Sequence, residues 1–261
     1  MSAVVMAALL FLPFYFGGIS WYLTILVLGG IGVWEWVRMT DPKHSTLAVI
    51  IPVIALIMAA ISEYAGWMMW ILPGLLIAAT LAFVERRRRS GEKIWAPIGL
   101  VYLIIPCIAA ISLRGTGIGF DSGGFKLLLY LILVVIAADV GAYFGGSYFK
   151  GPKLVPNLSP KKTWSGFFSG IISGVIMGAL LGLILPLGPK AGAILALPVV
   201  LISVVGDFIE SAVKRRMNVK DASGIIPGHG GILDRLDSLL LVLLACLIAV
   251  HVYPIVSWFQ A

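Results

Sequence analysis

The sequence predicts an all-α fold, a polytopic membrane bundle of about nine transmembrane helices with its N-terminus in the cytoplasm. Composition is the first observation behind this prediction: 60% of the residues are hydrophobic, 12% are charged, and the mean hydropathy is +1.05. These values lie far outside the range of soluble globular proteins. The other two observations are a series of long apolar runs and an uneven distribution of Lys and Arg between alternate loops.

Apolar runs of roughly 17 to 25 residues can each cross the bilayer core as a helix. The nine runs, of which the first is short, fall at 2–16, 19–38, 46–62, 66–84, 96–113, 125–148, 165–187, 191–212 and 236–257. The first run lacks the basic n-region of a signal peptide, so we interpret it as a membrane helix, re-entrant, tilted or fully crossing. Since lipid offers backbone polar groups no partner, a helical bundle is expected.

The distribution of positive charge predicts the orientation, because cytoplasmic loops retain Lys and Arg. With the N-terminus inside, 16 of the 19 Lys and Arg residues lie in or beside inner loops, and Arg114, Lys126 and Lys190 lie outside. The net charge of +7 therefore indicates topology and contact with anionic lipid, not nucleic-acid binding. We interpret the run Arg86–Arg89 in the same way, as a stop-transfer and headgroup-contact segment.

The polar residues divide the chain into two functional halves. Residues 1–95 form an N-terminal half of packing and lipid-facing helices, and residues 96–261 form the catalytic half with cytoplasmic loops 149–164 and 213–235. Glycine recurs every fourth residue from Gly166 to Gly182, which lets another backbone approach one helix face. We expect this face to pack against a helix of the same protomer or of a dimer partner.

Ionisable residues inside membrane spans are costly and usually have a function. Those in or at the mouths of the spans are Glu35, Asp139, Asp207, Glu210, Asp234 and Asp237. Glu35 lies between Trp34 and Trp36 near a cytoplasmic helix end, where the aromatic pair predicts an interface belt. We therefore favour an anchoring or packing role for Glu35 over a catalytic one.

Helical spacing places two groups of polar residues on the faces of the last two spans. Asp207, Glu210, Ser211 and Lys214 share one face of the eighth span, and Asp234, Asp237 and Ser238 share one face of the ninth. The two helices can therefore point carboxylates at a common centre, and carboxylate oxygens suit Mg²⁺. An intramembrane salt-bridge network between the helices is the alternative.

Two loops carry residues that can bind phosphate. Pro227–Gly231 supplies flexible backbone before a helix N-terminus, although it is no P-loop. His229 is either a hydrogen-bond donor to a phosphate or a general acid, or else it only stabilises its own turn. The segment 157–166 follows the span that contains Asp139. Lys161 and Lys162 predict a polyphosphate clamp there, and Ser159 or Thr163 is a candidate helix cap.

The segment from Ser211 to Asp237 resembles the signature of the phosphatidate cytidylyltransferases, also called CDP-diacylglycerol synthases. The resemblance rests on Ser211-x-x-Lys-Arg, Lys220-Asp, Pro227-Gly-His-Gly-Gly and Asp234-Arg-x-Asp, and it extends to the Ser159–Gly166 segment. It implies transfer of CMP from CTP to phosphatidic acid at the cytoplasmic face of a bacterial inner membrane. It also implies a homodimer and Mg²⁺ held by Asp207 and Asp234, with room for a second cation of unknown identity.

The resemblance and the residue chemistry together assign the site residues. Residues expected to act in catalysis are Asp207, Asp234, Asp237, Asp221, Lys214, Arg215, Arg235 and His229, of which Asp207 and Asp234 bind the metal. Residues expected to bind the CTP and lipid substrates are Asp139, Asn157, Ser159, Lys161, Lys162, Thr163, Ser165, Ser211, Lys220, Gly228, Gly230 and Gly231. The alternative function is a cation-coupled secondary transporter with an ion site at Asp139, Asp207 and Asp234. The depth of these acids, close to the cytoplasmic helix ends, favours the enzyme.

Overall fold

The structure is a computed structural model that describes residues 10–41, 46–65, 74, 79, 95–156, 158–226, 230–253 and 255–259. Residues 10–16 are helical. The longer helices are α1 (Gly18–Thr40), α2 (Thr46–Tyr64), α3 (Trp95–Arg114), α4 (Gly123–Phe149), α5 (Trp164–Ile184), α6 (Pro189–Arg216) and α7 (Leu233–Val252). A short antiparallel hairpin of β1 (Lys153–Val155) and β2 (Ser159–Thr163) precedes α5.

The all-α membrane fold is confirmed. Of the described helices, α1, α2, α4, α5, α6 and α7 are long and apolar enough to cross a bilayer, and α3 contains a shorter apolar stretch, Val101–Arg114. The predicted run 66–84 lies outside the described residues apart from Gly74 and Ala79. The count of nine spans and the cytoplasmic N-terminus therefore stay predictions.

The chain divides into two compact units, Met1–Ile118 with Met217–Leu236 and Gly119–Arg216 with Asp237–Ala261. In the first unit α2 and α3 pack through a buried cluster that includes Leu56, Ile104 and Ile108. Because this division follows packing, the predicted functional boundary at residue 95 stays a prediction.

A fully buried arginine at the end of α3 ties the first unit together. The Arg114 guanidinium donates to the backbone carbonyls of Phe14, Tyr15 and Gly117 at 2.6 to 2.7 Å. Three carbonyl acceptors and the nearby Phe14 ring offset much of the cost of removing this cation from water. Arg114 thus joins the helical segment 10–16 to the end of α3.

In the same unit, Trp36 corrects one prediction. Its side chain is buried, with 3% of its surface exposed, and its indole N–H donates to the Trp95 carbonyl at 3.0 Å. Trp36 is therefore a packing residue of the first unit and not part of an interface belt. Because the indole N–H donates to a carbonyl of α3, it does not need a water molecule at the membrane interface as its acceptor.

The second unit contains the glycine face predicted on α5. The glycines at 166, 170, 174, 178 and 182 are all buried. A Cβ built on Gly166 would lie 2.7 Å from the Ala142 carbonyl of α4, and one on Gly178 would lie 2.6 Å from the Gly192 carbonyl of α6. The absence of side chains therefore lets α5 pack closely against two helices of its own protomer.

Candidate active site

Three aspartates come together in the second unit. Asp139 of α4 lies within electrostatic range of Asp207 on α6 and Asp237 on α7, and Asp237 in turn interacts with Asp207. The Ser238 backbone N–H and hydroxyl both lie within hydrogen-bond distance of Asp237 Oδ1, at 2.7 and 3.2 Å. We call Asp139, Asp207 and Asp237 the acidic cluster. Carboxylates within electrostatic range repel one another, so the cluster attracts cations.

A glycine explains how two of these carboxylates reach one place. Gly206 is buried, and a Cβ built on it would lie 2.8 Å from the Asp237 carbonyl and 3.2 Å from the Leu241 Cβ. The missing side chain lets α7 approach α6 just beside Asp207. Gly206 is not among the predicted site residues, although a glycine next to an intramembrane aspartate indicates close backbone approach.

Lys162 supplies positive charge to the acidic cluster from the β hairpin. Its ammonium group forms an ion pair with Asp207 Oδ2 and lies 4.3 Å from the centre of the Phe208 ring. About a quarter of each side chain is exposed, 29% for Lys162 and 24% for Asp207. Ser211 Oγ lies 3.4 Å from Asp207 Oδ1 on the same helix. The neighbouring Lys161 is exposed.

The basic end of α6 divides into a buried and an exposed part. Lys214 is buried and pairs with the buried Glu210 one turn earlier, with 3.1 Å between Nζ and Oε1. Arg215, Lys220 and Asp221 are exposed at and after the end of the helix. Lys214 therefore has a carboxylate partner inside the protein, whereas the side chains of Arg215 and Lys220 are exposed at its surface.

The hairpin residues shape the start of α5. Thr163 caps this helix, because its hydroxyl oxygen accepts a hydrogen bond from the Gly166 backbone N–H at 3.1 Å. The Ser165 hydroxyl donates to the Lys150 carbonyl and so ties the end of α4 to the start of α5. Ser159 begins β2, and Asn157 lies outside the described residues.

A second polar centre lies in the first unit, around Glu35. This side chain is completely buried, and it accepts hydrogen bonds from the Ser223 hydroxyl at 2.5 Å, the Ile232 N–H at 3.0 Å and the Leu233 N–H at 2.8 Å. These donors lie in the described residues 222–226 and 230–233, which we call the signature loop and of which Leu233 is also the first residue of α7. This burial agrees with the packing role predicted for Glu35, and its partner, the signature loop, was not predicted.

Asp234 holds the same loop from its other side. Its Oδ2 atom accepts from the Ala222 N–H at 2.9 Å and from the Gly231 N–H at 2.8 Å. Gly230 has a φ of +82°, and its carbonyl accepts from the Ile226 N–H at 2.9 Å. The predicted residues Gly228 and His229 lie outside the described residues, and Arg235 is exposed.

The acidic cluster has the donor chemistry of a Mg²⁺ site. Among the described residues, no group of three or more His, Cys, Asp and Glu side chains is arranged so that it could hold a metal ion by itself. Magnesium, however, is commonly bound by one or two protein carboxylates while water and substrate phosphates fill the other positions. The oxygen donors of the cluster fit this pattern. Asp207 lies in the second unit and Asp234 in the first, so their shared metal site stays a prediction.

The fold and these two polar centres define an integral membrane protein whose ionisable groups lie within and at the ends of apolar helices. Residues 1–253 match the Cytidylyltransferase family, and the chain belongs to this family. It is therefore an enzyme, a nucleotidyltransferase that uses CTP.

Curated relatives agree with the family over most of the chain. A phosphatidate cytidylyltransferase of Haemophilus influenzae is 34% identical over 91% of this chain and 90% of its own length. The protein of that name from Pseudomonas aeruginosa is 34% identical over 90% of this chain and 91% of its own. That of Brucella suis is 30% identical over 91% of this chain and 87% of its own. The similarity therefore covers nearly the whole of each protein.

Proposed function

We propose that this chain is a phosphatidate cytidylyltransferase, which transfers CMP from CTP to phosphatidic acid and releases pyrophosphate. The names of the relatives support this substrate pair. The observation that carries the proposal is the acidic cluster with Lys162, because it brings carboxylates, a ligand type that suits Mg²⁺, together with a lysine that can bind phosphate. Such a site can meet a lipid phosphate at the membrane surface and a nucleotide from water.

In the proposed reaction, an oxygen of the lipid phosphate attacks the α-phosphorus of CTP in line. The new bond joins this oxygen to the α-phosphorus, while the bond from the α-phosphorus to the oxygen that bridges the α- and β-phosphates breaks. Pyrophosphate leaves with that electron pair. Phosphatidic acid is already an anion near neutral pH, so positioning and charge neutralisation matter more than a strong general base.

The residues of this chain then have distinct tasks. Lys161 and Lys162 bind phosphate oxygens from the hairpin, and Arg215, Lys220 and Arg235 do so from the exposed segments that flank the signature loop. Asp207 and Asp234 would hold Mg²⁺, and Asp139, Asp237 and Asp221 would add negative charge that favours the cation. When bound, Mg²⁺ supplies charge neutralisation on the phosphates of CTP. Lys214 supports the site through its pair with Glu210.

The proposal also covers location and assembly. The excess of Lys and Arg on one side predicts a cytoplasmic active site in a bacterial inner membrane. The homodimer implied by the family resemblance is part of the same proposal. The transporter alternative has no specific support, because the relatives are named as enzymes.

A nucleotide screen tests this function. Purified protein in detergent is incubated with phosphatidic acid, Mg²⁺ and each of the four NTPs, and pyrophosphate release is followed. We expect release with CTP, dependent on both phosphatidic acid and Mg²⁺. Equal release with all four nucleotides, or release without the lipid, would contradict the proposed substrate pair.

A further inference from the structure

We propose that Glu35 is a positioning residue for the reaction: its buried carboxylate fixes the signature loop and thereby sets the affinity for CTP. The inference rests on the proposed function in that it takes the signature loop as part of the CTP site. It adds a residue of the N-terminal half, for which the sequence predicted packing alone, to the determinants of nucleotide binding.

Glu35 faces backbone N–H groups at the start of a helix. Ile232 and Leu233 lie at the N-terminus of α7, where backbone N–H groups have no acceptor within the helix. Glu35 Oε1 accepts from Ile232 and Glu35 Oε2 accepts from Leu233, at 3.0 and 2.8 Å. A carboxylate at this end of a helix also interacts favourably with the helix dipole. Glu35 therefore acts as a helix cap supplied by a different helix, α1.

The burial of Glu35 restricts the position of the loop. None of the Glu35 side chain is exposed, and a buried carboxylate is tolerated only when its oxygens are hydrogen-bonded. The loop supplies these hydrogen bonds through Ser223, Ile232 and Leu233. Movement of the loop away from α1 would leave the carboxylate unpaired in an apolar environment. The burial of Glu35 thus makes one position of the loop strongly preferred.

A second carboxylate, that of Asp234, also binds the loop. Asp234 binds the N–H groups of Ala222 and Gly231, and the Ile226 N–H donates to the Gly230 carbonyl. Gly231 lies between the two acids, since a Cβ built on it would be 2.5 Å from Glu35 Oε1. A change at Glu35 therefore shifts Gly231 and the backbone donors that Asp234 holds. Through them it reaches the part of the chain that binds CTP.

The test compares Glu35→Gln with Arg114→Gln, a variant of another fully buried residue of the same unit whose partners are carbonyls outside the loop. The glutamine amide retains one acceptor oxygen but presents an NH₂ group to one of the loop donors. We expect Glu35→Gln to raise the KM for CTP about tenfold, the effect of losing one hydrogen bond to a charged group. The KM for phosphatidic acid should change less than twofold.

Arg114→Gln should behave in the opposite way. It should lower the thermal midpoint, measured with a thiol-reactive dye on Cys107 and Cys246, and leave the KM for CTP within twofold. Ser223→Ala removes one donor to Glu35 and serves if Glu35→Gln fails to fold. As a single change, Ser223→Ala should raise the KM for CTP about threefold. When it is combined with Glu35→Gln, it should raise the KM for CTP by a smaller further factor.

Each variant is titrated with CTP, and binding is measured as the shift of its thermal midpoint. This measurement separates the proposed role of Glu35 from the proposed enzymatic function. Weaker CTP binding by Glu35→Gln and Ser223→Ala, with normal binding by Arg114→Gln, supports the positioning role. Wild-type affinity in the loop variants would overturn it. If the wild-type protein bound CTP but released no pyrophosphate with phosphatidic acid, the proposed function would fail, while this titration would still decide the role of Glu35.

Discussion

At the scale of single residues, Asp207 is the acid on which the proposed chemistry depends most. It contacts Lys162 and Ser211 and interacts with the other two carboxylates of the acidic cluster. We expect Asp207→Asn to lower turnover at least about a hundredfold, because the amide has no charge with which to bind a cation. The thermal midpoint should change little. Pyrophosphate release measures the first effect, and activity within twofold of wild type would contradict the assignment.

Gly231 and Gly224 offer a matched pair within the signature loop. A Cβ built on Gly231 would lie 2.5 Å from Glu35 Oε1, whereas one built on Gly224 would meet nothing within 4 Å. Gly231→Ala should therefore destabilise the protein by about 1–3 kcal/mol and lower activity, because the loop must move away from Glu35. Gly224→Ala should resemble wild type in both thermal unfolding and pyrophosphate release. Equal effects of the two changes would show that crowding against Glu35 does not limit the loop.

Sequence reasoning reached the residue types of the site but not all of their contacts. Helical spacing was sufficient to place Asp207 and Ser211 on one face of α6. In the structure Ser211 Oγ lies 3.4 Å from Asp207 Oδ1. The partners of Glu35 could not be found in this way, because Ser223 and Leu233 are 188 and 198 residues away along the chain. Contacts of this separation depend on how helices pack, which local periodicity does not encode.

At the scale of elements, the glycine face of α5 sets the distance between three helices. We expect Gly178→Ala to lower stability by about 1–3 kcal/mol, because the new methyl group would lie 2.6 Å from the Gly192 carbonyl and 2.5 Å from the Ala196 Cβ. Gly30→Ala on α1 is the control, since a Cβ there meets nothing within 4 Å. Thermal unfolding in detergent compares the two. A destabilisation of the same size at both positions would argue against close packing as the reason for the glycines.

The bounds of α7 show why element ends were harder to predict than their existence. The apolar run starts at residue 236, but the helix starts at Leu233. The additional turn contains Asp234 and Arg235, and its first N–H groups are satisfied by Glu35. Hydropathy registers the lipid-facing part of a helix. It does not register a polar turn that another helix caps.

At the scale of the whole molecule, the predicted orientation places the basic end of α6 in the cytoplasm. This helix has 28 residues and is about 42 Å long, enough to cross a hydrocarbon core of about 30 Å. In a background in which Cys107 and Cys246 are replaced by Ala, we expect Lys220→Cys to react with a membrane-impermeant thiol reagent from the cytoplasmic side. Lys190→Cys, at the other end of α6, should react from the opposite side. Reversed labelling of the two positions would overturn the orientation.

The fate of the CTP phosphates tests the central claim most directly. Purified protein is incubated with phosphatidic acid and Mg²⁺ and with CTP labelled at either the α- or the γ-phosphate, and the lipid is then extracted. Cytidylyl transfer predicts that the α-label enters the lipid and that the γ-label leaves as pyrophosphate. Transfer of the γ-label into the lipid, or release of both labels into water, would contradict the account.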